Sequence, residues 1–123
     1  MAVSIHQVSV PIFLKTLGNL AAILDKAAAF AAEKKVEPAV LLGYRLAPDM
    51  LSLTFQVQAA TDHAKRAVAR LAGVEPPSYE DKETSFAELK ARIEKTVAFI
   101  NSLKPAQFDG GEAREIKMKA GAR

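Results

Sequence analysis

The stretch Leu53-Thr54-Phe55-Gln56-Val57-Gln58-Ala59-Ala60-Thr61-Asp62-His63-Ala64-Lys65-Arg66-Ala67-Val68-Ala69-Arg70-Leu71-Ala72-Gly73 decides the fold class. Leu53, Val57, Ala60, Ala64, Val68 and Leu71 recur at steps of three and four residues, which puts them on one face of a helix as a buried stripe. Upstream, Pro48 suits a first helical position, where a missing N–H costs nothing, and Asp49 suits the positive helix N-terminus. The spacing therefore predicts a long helix starting at Pro48 and ending at a left-handed Gly73 cap.

The same reading extends in both directions. Phe13, Leu17, Leu20, Leu24, Ala27 and Ala31 mark an earlier helix from Ser9 or before to about Lys35. Pro11 fits the first turn behind a Ser9 cap; a start near Ser4 would place it inside the helix and kink it. Pro38 and Pro48 bracket a connection in which Ala39-Val40-Leu41-Leu42 is suited to one helical turn. Val74 to Thr84, with Pro76-Pro77 and a run of charges, reads as a polar loop. Ser85-Phe86-Ala87-Glu88 matches a capping box that opens a third long helix, with Phe86, Leu89, Ile93, Val97, Ile100 and Leu103 as its stripe and Pro105 as its stop.

Beyond Asp109-Gly110-Gly111 the period changes to two: Ile116, Met118 and Ala120 alternate with charged residues and predict a short strand. A lone strand lacks a pairing partner, and Gly121-Ala122-Arg123 resembles a hairpin turn. The expectation is one helical-bundle domain over residues 1–123, incomplete at its C-terminal side.

Composition narrows the function classes. The chain has 123 residues, half of them apolar, enough for a modest core. Its 17 basic and 14 acidic residues give a net charge of +3 spread along the chain, too weak to argue for nucleic acid. The absence of cysteine excludes disulfides, thiolate ligands and cysteine nucleophiles. Met1 to Ile5 lacks the pattern of a signal peptide, and the uncharged interior stretch Met50 to Thr61 is polar and too short to span a membrane. A soluble cytoplasmic protein without nucleic-acid or membrane partners is expected.

His63 is the residue most open to chemistry. It lies at the border of an apolar stripe, with Ala59, Ala60 and Ala67 leaving room beside an imidazole. A single helical histidine of this kind is more often a hydrogen-bonded boundary residue than a ligand, because a metal site needs three or four converging donors. His6 is the other histidine, and nothing in the spacing links the two. Asp62 points about 100° away from His63 and is placed to pair with Arg66, as Glu88 is with Arg92. Gln56 shares the face of His63, and Tyr44 and Tyr79 lie in loops where tyrosines either line pocket mouths or close core ends. Phosphate loops, nucleophile elbows and paired histidines at i, i+4 are absent.

Several segments, taken in order, carry a resemblance: Ser9-Val10-Pro11-Ile12-Phe13, Leu20 to Ala27, Arg45-Leu46-Ala47-Pro48-Asp49-Met50, Gln56-Val57-Gln58, Asp62-His63-Ala64-Lys65, Arg70 to Gly73, Phe86 to Leu89, and Phe108-Asp109-Gly110. The chain resembles an uncharacterised bacterial family of the DinB/YfiT-like superfamily of four-helix bundles. The resemblance implies an all-α antiparallel DinB-like bundle of which three long helices are present and a fourth is missing. It also implies a divalent metal, zinc or nickel, held in such proteins by a histidine of the second helix and a pair on the fourth. His63 matches the former by position. Some better-known relatives are metal-dependent thiol transferases.

Two functions are thus carried forward. One is a metal-dependent, thiol-transferase-like enzyme when full length, with His63 as ligand and no metal expected in this chain by itself. The alternative is a non-catalytic helical module binding an apolar ligand or partner helix in the groove left by the fourth helix. That open groove also predicts a homo-oligomer, a dimer being the simplest.

Overall fold

The computed structural model describes residues 3–119. It contains three long helices, α1 (Ile5–Lys34), α3 (Leu53–Ala72) and α4 (Phe86–Ser102), with the short α2 (Pro38–Leu42) in the first connection. Two 3-10 turns, Pro105–Phe108 and Gly111–Ala113, follow α4. The fold is the expected all-α bundle.

Each long helix begins where a hydroxyl can serve a free N–H. Ser4 caps α1 by accepting from the Gln7 amide, while the Gln7 side chain accepts from the Ser4 amide. The start at Ser4 places Pro11 inside α1, depriving the Gln7 carbonyl of its usual i+4 donor. Ser52 accepts from the Phe55 amide and fixes the start of α3 at Leu53, five residues after the expected Pro48. Pro48 and Asp49 instead belong to a turn closed by the Met50 amide donating to Ala47, and the Leu53 amide donates to Tyr44. Ser85 caps α4, its hydroxyl accepting from the Glu88 amide. Gly73, at φ 72°, ends α3 as the predicted left-handed cap.

The core lies where the three stripes meet. Leu17 and Leu24 of α1, Val57, Ala64 and Val68 of α3, and Leu89, Ile93 and Ile100 of α4 are all buried, and Leu42 and Phe108 close the ends. His6 packs edge-on against Phe108, with ring centroids 5.2 Å apart, a structural use of that imidazole. The α3 stripe is rotated from the predicted one. Leu53, Ala60 and Leu71 are only half-buried, whereas Gln58, Thr61 and Lys65 turn into the protein.

α4 packs against both other long helices more extensively than α1 and α3 pack against each other. This leaves a groove between α1 and α3. At about 100° per residue, Ile12, Ile23 and Phe30 fall within about 20° of one another on α1, beside Phe13 and Ala27, which face α3. These three are 61%, 56% and 48% exposed, so the apolar arc of α1 is wider than two neighbouring helices cover. By length and composition α1 could also cross a membrane, its most apolar 18-residue window having a mean hydropathy of 1.4. Of that window 22% is buried inside the protein.

The predicted C-terminal strand is absent among the described residues. Residues 114–119 have no regular secondary structure; Arg114 donates to the Leu71 carbonyl and Arg70 to the Met118 sulfur, holding the segment along α3. Ala120 and the proposed hairpin turn at Gly121-Ala122-Arg123 lie outside the described residues.

Leu89 is fully buried at the centre of this packing. Leu89→Ala should lower stability by about 3 kcal/mol, seen as a lower urea midpoint at unchanged slope. A loss below about 1 kcal/mol would show that the three stripes do not converge there.

Candidate functional site

Polar groups concentrate in two places, and only one is saturated. The first is a charged cluster beneath the loop joining α3 to α4. Arg92, 4% exposed, turns inward from α4. Its Nε donates to Thr61 Oγ1 at 2.8 Å, Nη2 to Asp62 Oδ1 at 2.8 Å, and Nη1 to Glu83 Oε1 at 3.0 Å and the Glu80 carbonyl at 3.2 Å. Asp81 lies 3.0 Å from the same Nη1. Lys65, 2% exposed, places its ammonium 2.9 Å from Asp62 and 3.7 Å from the centroid of the Tyr79 ring. Lys95 approaches the same ring at 4.3 Å, and Gln58 donates to Glu83 at 3.0 Å.

Two expected ion pairs are thereby corrected. Asp62 pairs with Lys65 and Arg92, not with Arg66, and Arg92 turns to Asp62, Asp81 and Glu83, not to Glu88. Spacing along one helix suggested surface pairs, but a buried guanidinium needs several fixed acceptors and finds them across elements. Burial alone would raise the Asp62 carboxyl; the Lys65 hydrogen bond and the Arg92 and Lys65 charges outweigh it and hold the group below its ordinary value. Burial likewise opposes charge on Arg92, and the carboxylates, Asp62 foremost, reverse this and raise it. No buried side-chain polar atom among the described residues lacks a partner. The buried polar groups of the cluster are thus committed to the fold. Tyr79 closes it, while Tyr44 stays 61% exposed at the opposite end of α3.

The second place is the α1–α3 groove. His63 is exposed and lines a cleft of about 550 Å³ with Phe13, Ala67 and Leu71 as apolar wall and Arg66 and Arg70 beside it. Ile116, Met118 and Lys119 approach from the C-terminal segment. Further along the groove is a smaller apolar hollow of about 210 Å³, bounded by Ala27, Leu41, Leu46, Met50 and Leu53. Gln56 lies at this hollow, donates weakly to the Leu51 carbonyl at 3.4 Å, and does not line the His63 cleft.

His63 does not by itself fit a metal. No group of three or more His, Cys, Asp or Glu side chains among the described residues could hold an ion. The neighbouring guanidiniums of Arg66 and Arg70 oppose a dication. Sequence reasoning singled out His63 and missed Lys65, Arg92 and Glu83. The available signal was Gln58, Thr61 and Lys65, three polar residues recurring at helical spacing beside the apolar stripe.

A family model described as "Domain of unknown function (DUF1993)" matches residues 5–123. No curated protein matches the chain. Among solved structures, the chain is similar to a DinB family member from Shewanella denitrificans, at 44% identity and a TM-score of 0.82. That match covers 86% of this chain and 61% of the other, so the chain spans less than two thirds of its relative's length.

Asp62→Asn should cost about 3 kcal/mol at neutral pH, because it strips the charge that offsets two buried cations. A carboxyl held below its ordinary value stabilises fully above the unfolded-state pKa of about 3.9, and this contribution is lost as pH falls through the folded-state value. The gap between variant and parent in urea unfolding should therefore narrow below about pH 4. A gap independent of pH would assign the loss to packing instead.

Proposed function

The chain belongs to the DUF1993 family and has a DinB-like helical fold, and on that premise we propose that it is the body of a helical bundle whose α1–α3 face receives an amphipathic helix. The observation that carries this reading is the row Ile12, Ile23 and Phe30, exposed on α1 beside a groove with an apolar hollow at one end. On this face Thr16 and Asn19 stand between Ile12 and Ile23, and it is the exposed apolar side chains together with the adjoining apolar hollow that mark an interaction site, which side chains of an added helix would bury by interdigitation. The floor offered by α3 suits close approach, since Ala59, Ala60 and Ala67 present little bulk.

A metal-dependent activity of the thiol-transferase kind is the second reading, favoured by the exposure of His63 in the same groove. It requires at least two further donors from outside the described residues. No step of such a reaction follows from the residues present.

The two readings separate by measurement. Ile23→Glu with Phe30→Glu should abolish fluorescence enhancement of an apolar dye while changing stability by less than about 1 kcal/mol, as substitutions at exposed sites do. Unfolding of that variant would place the row in the core and remove the helix-receiving face. For the metal, zinc or nickel is measured on the full-length natural protein with and without His63→Ala. Stoichiometric metal lost in the variant would establish His63 as a ligand and favour the second reading over the first.

A further inference from the structure

We infer that the helix received by the α1–α3 face carries acidic residues along both flanks of its apolar stripe; this rests on that face being a helix-receiving surface. The rims of the groove are basic. On α1, Lys15 and Lys26 lie on the outward flank of the Ile12, Ile23 and Phe30 row, about 40–60° around the helix from it. On α3, Arg66 and Arg70 lie on the outward flank of His63 and Ala67, and Lys119 joins them at the His63 cleft. Among the described residues none of these five cations is in an ion pair. Acidic residues nearby are Glu33, near the end of α1, Asp49, beside the hollow-lining Met50, and Glu115, which pairs with Lys117.

The negative groups nearest the two helices are already used on the other side of the molecule. Asp25 of α1 pairs with Lys90 of α4 at 2.7 Å, and Asp62 of α3 is committed to Lys65 and Arg92. Asp25 and Asp62 are thus neutralised by partners on α3 and α4, and the five cations at the open groove are not neutralised by them. A second copy docked symmetrically through this face would set Arg66 and Arg70 against the same cationic surface, an unfavourable juxtaposition. An apolar stripe flanked by carboxylates matches the rims on both sides.

The hollow near Leu46 and Leu53 and the cleft at His63 set the length of the occupant. Gln56 borders the first and Ala67 the second, about 16 Å apart along α3 at 1.5 Å per residue. A helix of four to five turns reaches both, with one large apolar side chain seated in the hollow and its carboxylates nearest Arg66 and Arg70.

The test uses the chain of residues 1–123 and two synthetic helical peptides of about 18 residues, identical in their leucine stripe and differing only in glutamate or lysine flanks. Binding is followed by fluorescence anisotropy at low salt and at about 0.5 M salt, where surface charges are screened. The glutamate-flanked peptide should bind at least tenfold more tightly, lose that advantage at high salt, and lose it also in Arg66→Glu/Arg70→Glu. These side chains are not in the core, so the variant should retain its helical circular dichroism; should it misfold, the salt dependence of the unaltered chain decides alone. Equal affinity for the two peptides, or preference for the lysine one, overturns the acidic-flank inference and leaves the helix-receiving face standing. Binding of neither peptide overturns both. Self-association that the glutamate peptide fails to displace assigns the face to a second copy and overturns the inference.

Discussion

A guanidinium buried between two helices must be fully satisfied or it unfolds what surrounds it, and in this protein that requirement falls on Arg92. Its donors reach Thr61 and Asp62 on α3 and Glu80 and Glu83 in the loop, with Asp81 close by, so one side chain of α4 ties together three parts of the chain. The loop between α3 and α4 has no regular secondary structure. It is held by these bonds and by Tyr79, whose ring lies over Lys65 and Lys95. The register of α3 against α4 follows, and with it the seating of Leu89, Ile93 and Val68 beside α1. The ionic side of the molecule acts as a clasp and the hydrocarbon side as the filling.

Much of this architecture was legible in the residues. Repeats of three and four placed all three long helices, Gly73 and Ser85 marked two of their ends, and Leu89, Ile93 and Ile100 were identified as core. The start of α3 was not legible because Pro48-Asp49 is a sound helix opening locally, and only the contacts of Leu53 with Tyr44 and of Thr54 with Leu42 decide for Ser52. The strand failed for a related reason: period two describes an extended chain, and pairing depends on what lies alongside. The charged cluster was hidden because Asp62 with Arg66, and Glu88 with Arg92, are plausible neighbours on isolated helices. Burial rearranges such pairs, and burial of a lysine is not written in its immediate sequence.

The open groove has the opposite character. Its apolar row and small-residue floor lack a neighbour among the described residues, and its cations lack counter-charges there, whereas the α3–α4 side leaves no buried polar atom unpaired. His63 belongs to the unsatisfied side. Its imidazole stands among apolar walls and arginines, a setting different from the crowded carboxylates around Lys65.

The many-sided bonding of Arg92 also constrains how this sequence can change over time. A side chain that serves several acceptors on separate elements is not readily exchanged for an apolar one in a single step, since Glu83 would lose its ion pair and Asp62 would keep only Lys65. Loss of either acid first leaves Arg92 with fewer counter-charges, the other acid and Asp81. Routes away from this arrangement therefore require coordinated replacement at several positions, so the cluster is an epistatic knot. The exposed residues of the groove, such as Ile12, Ile23, Phe30 and His63, can drift one at a time to suit a different occupant.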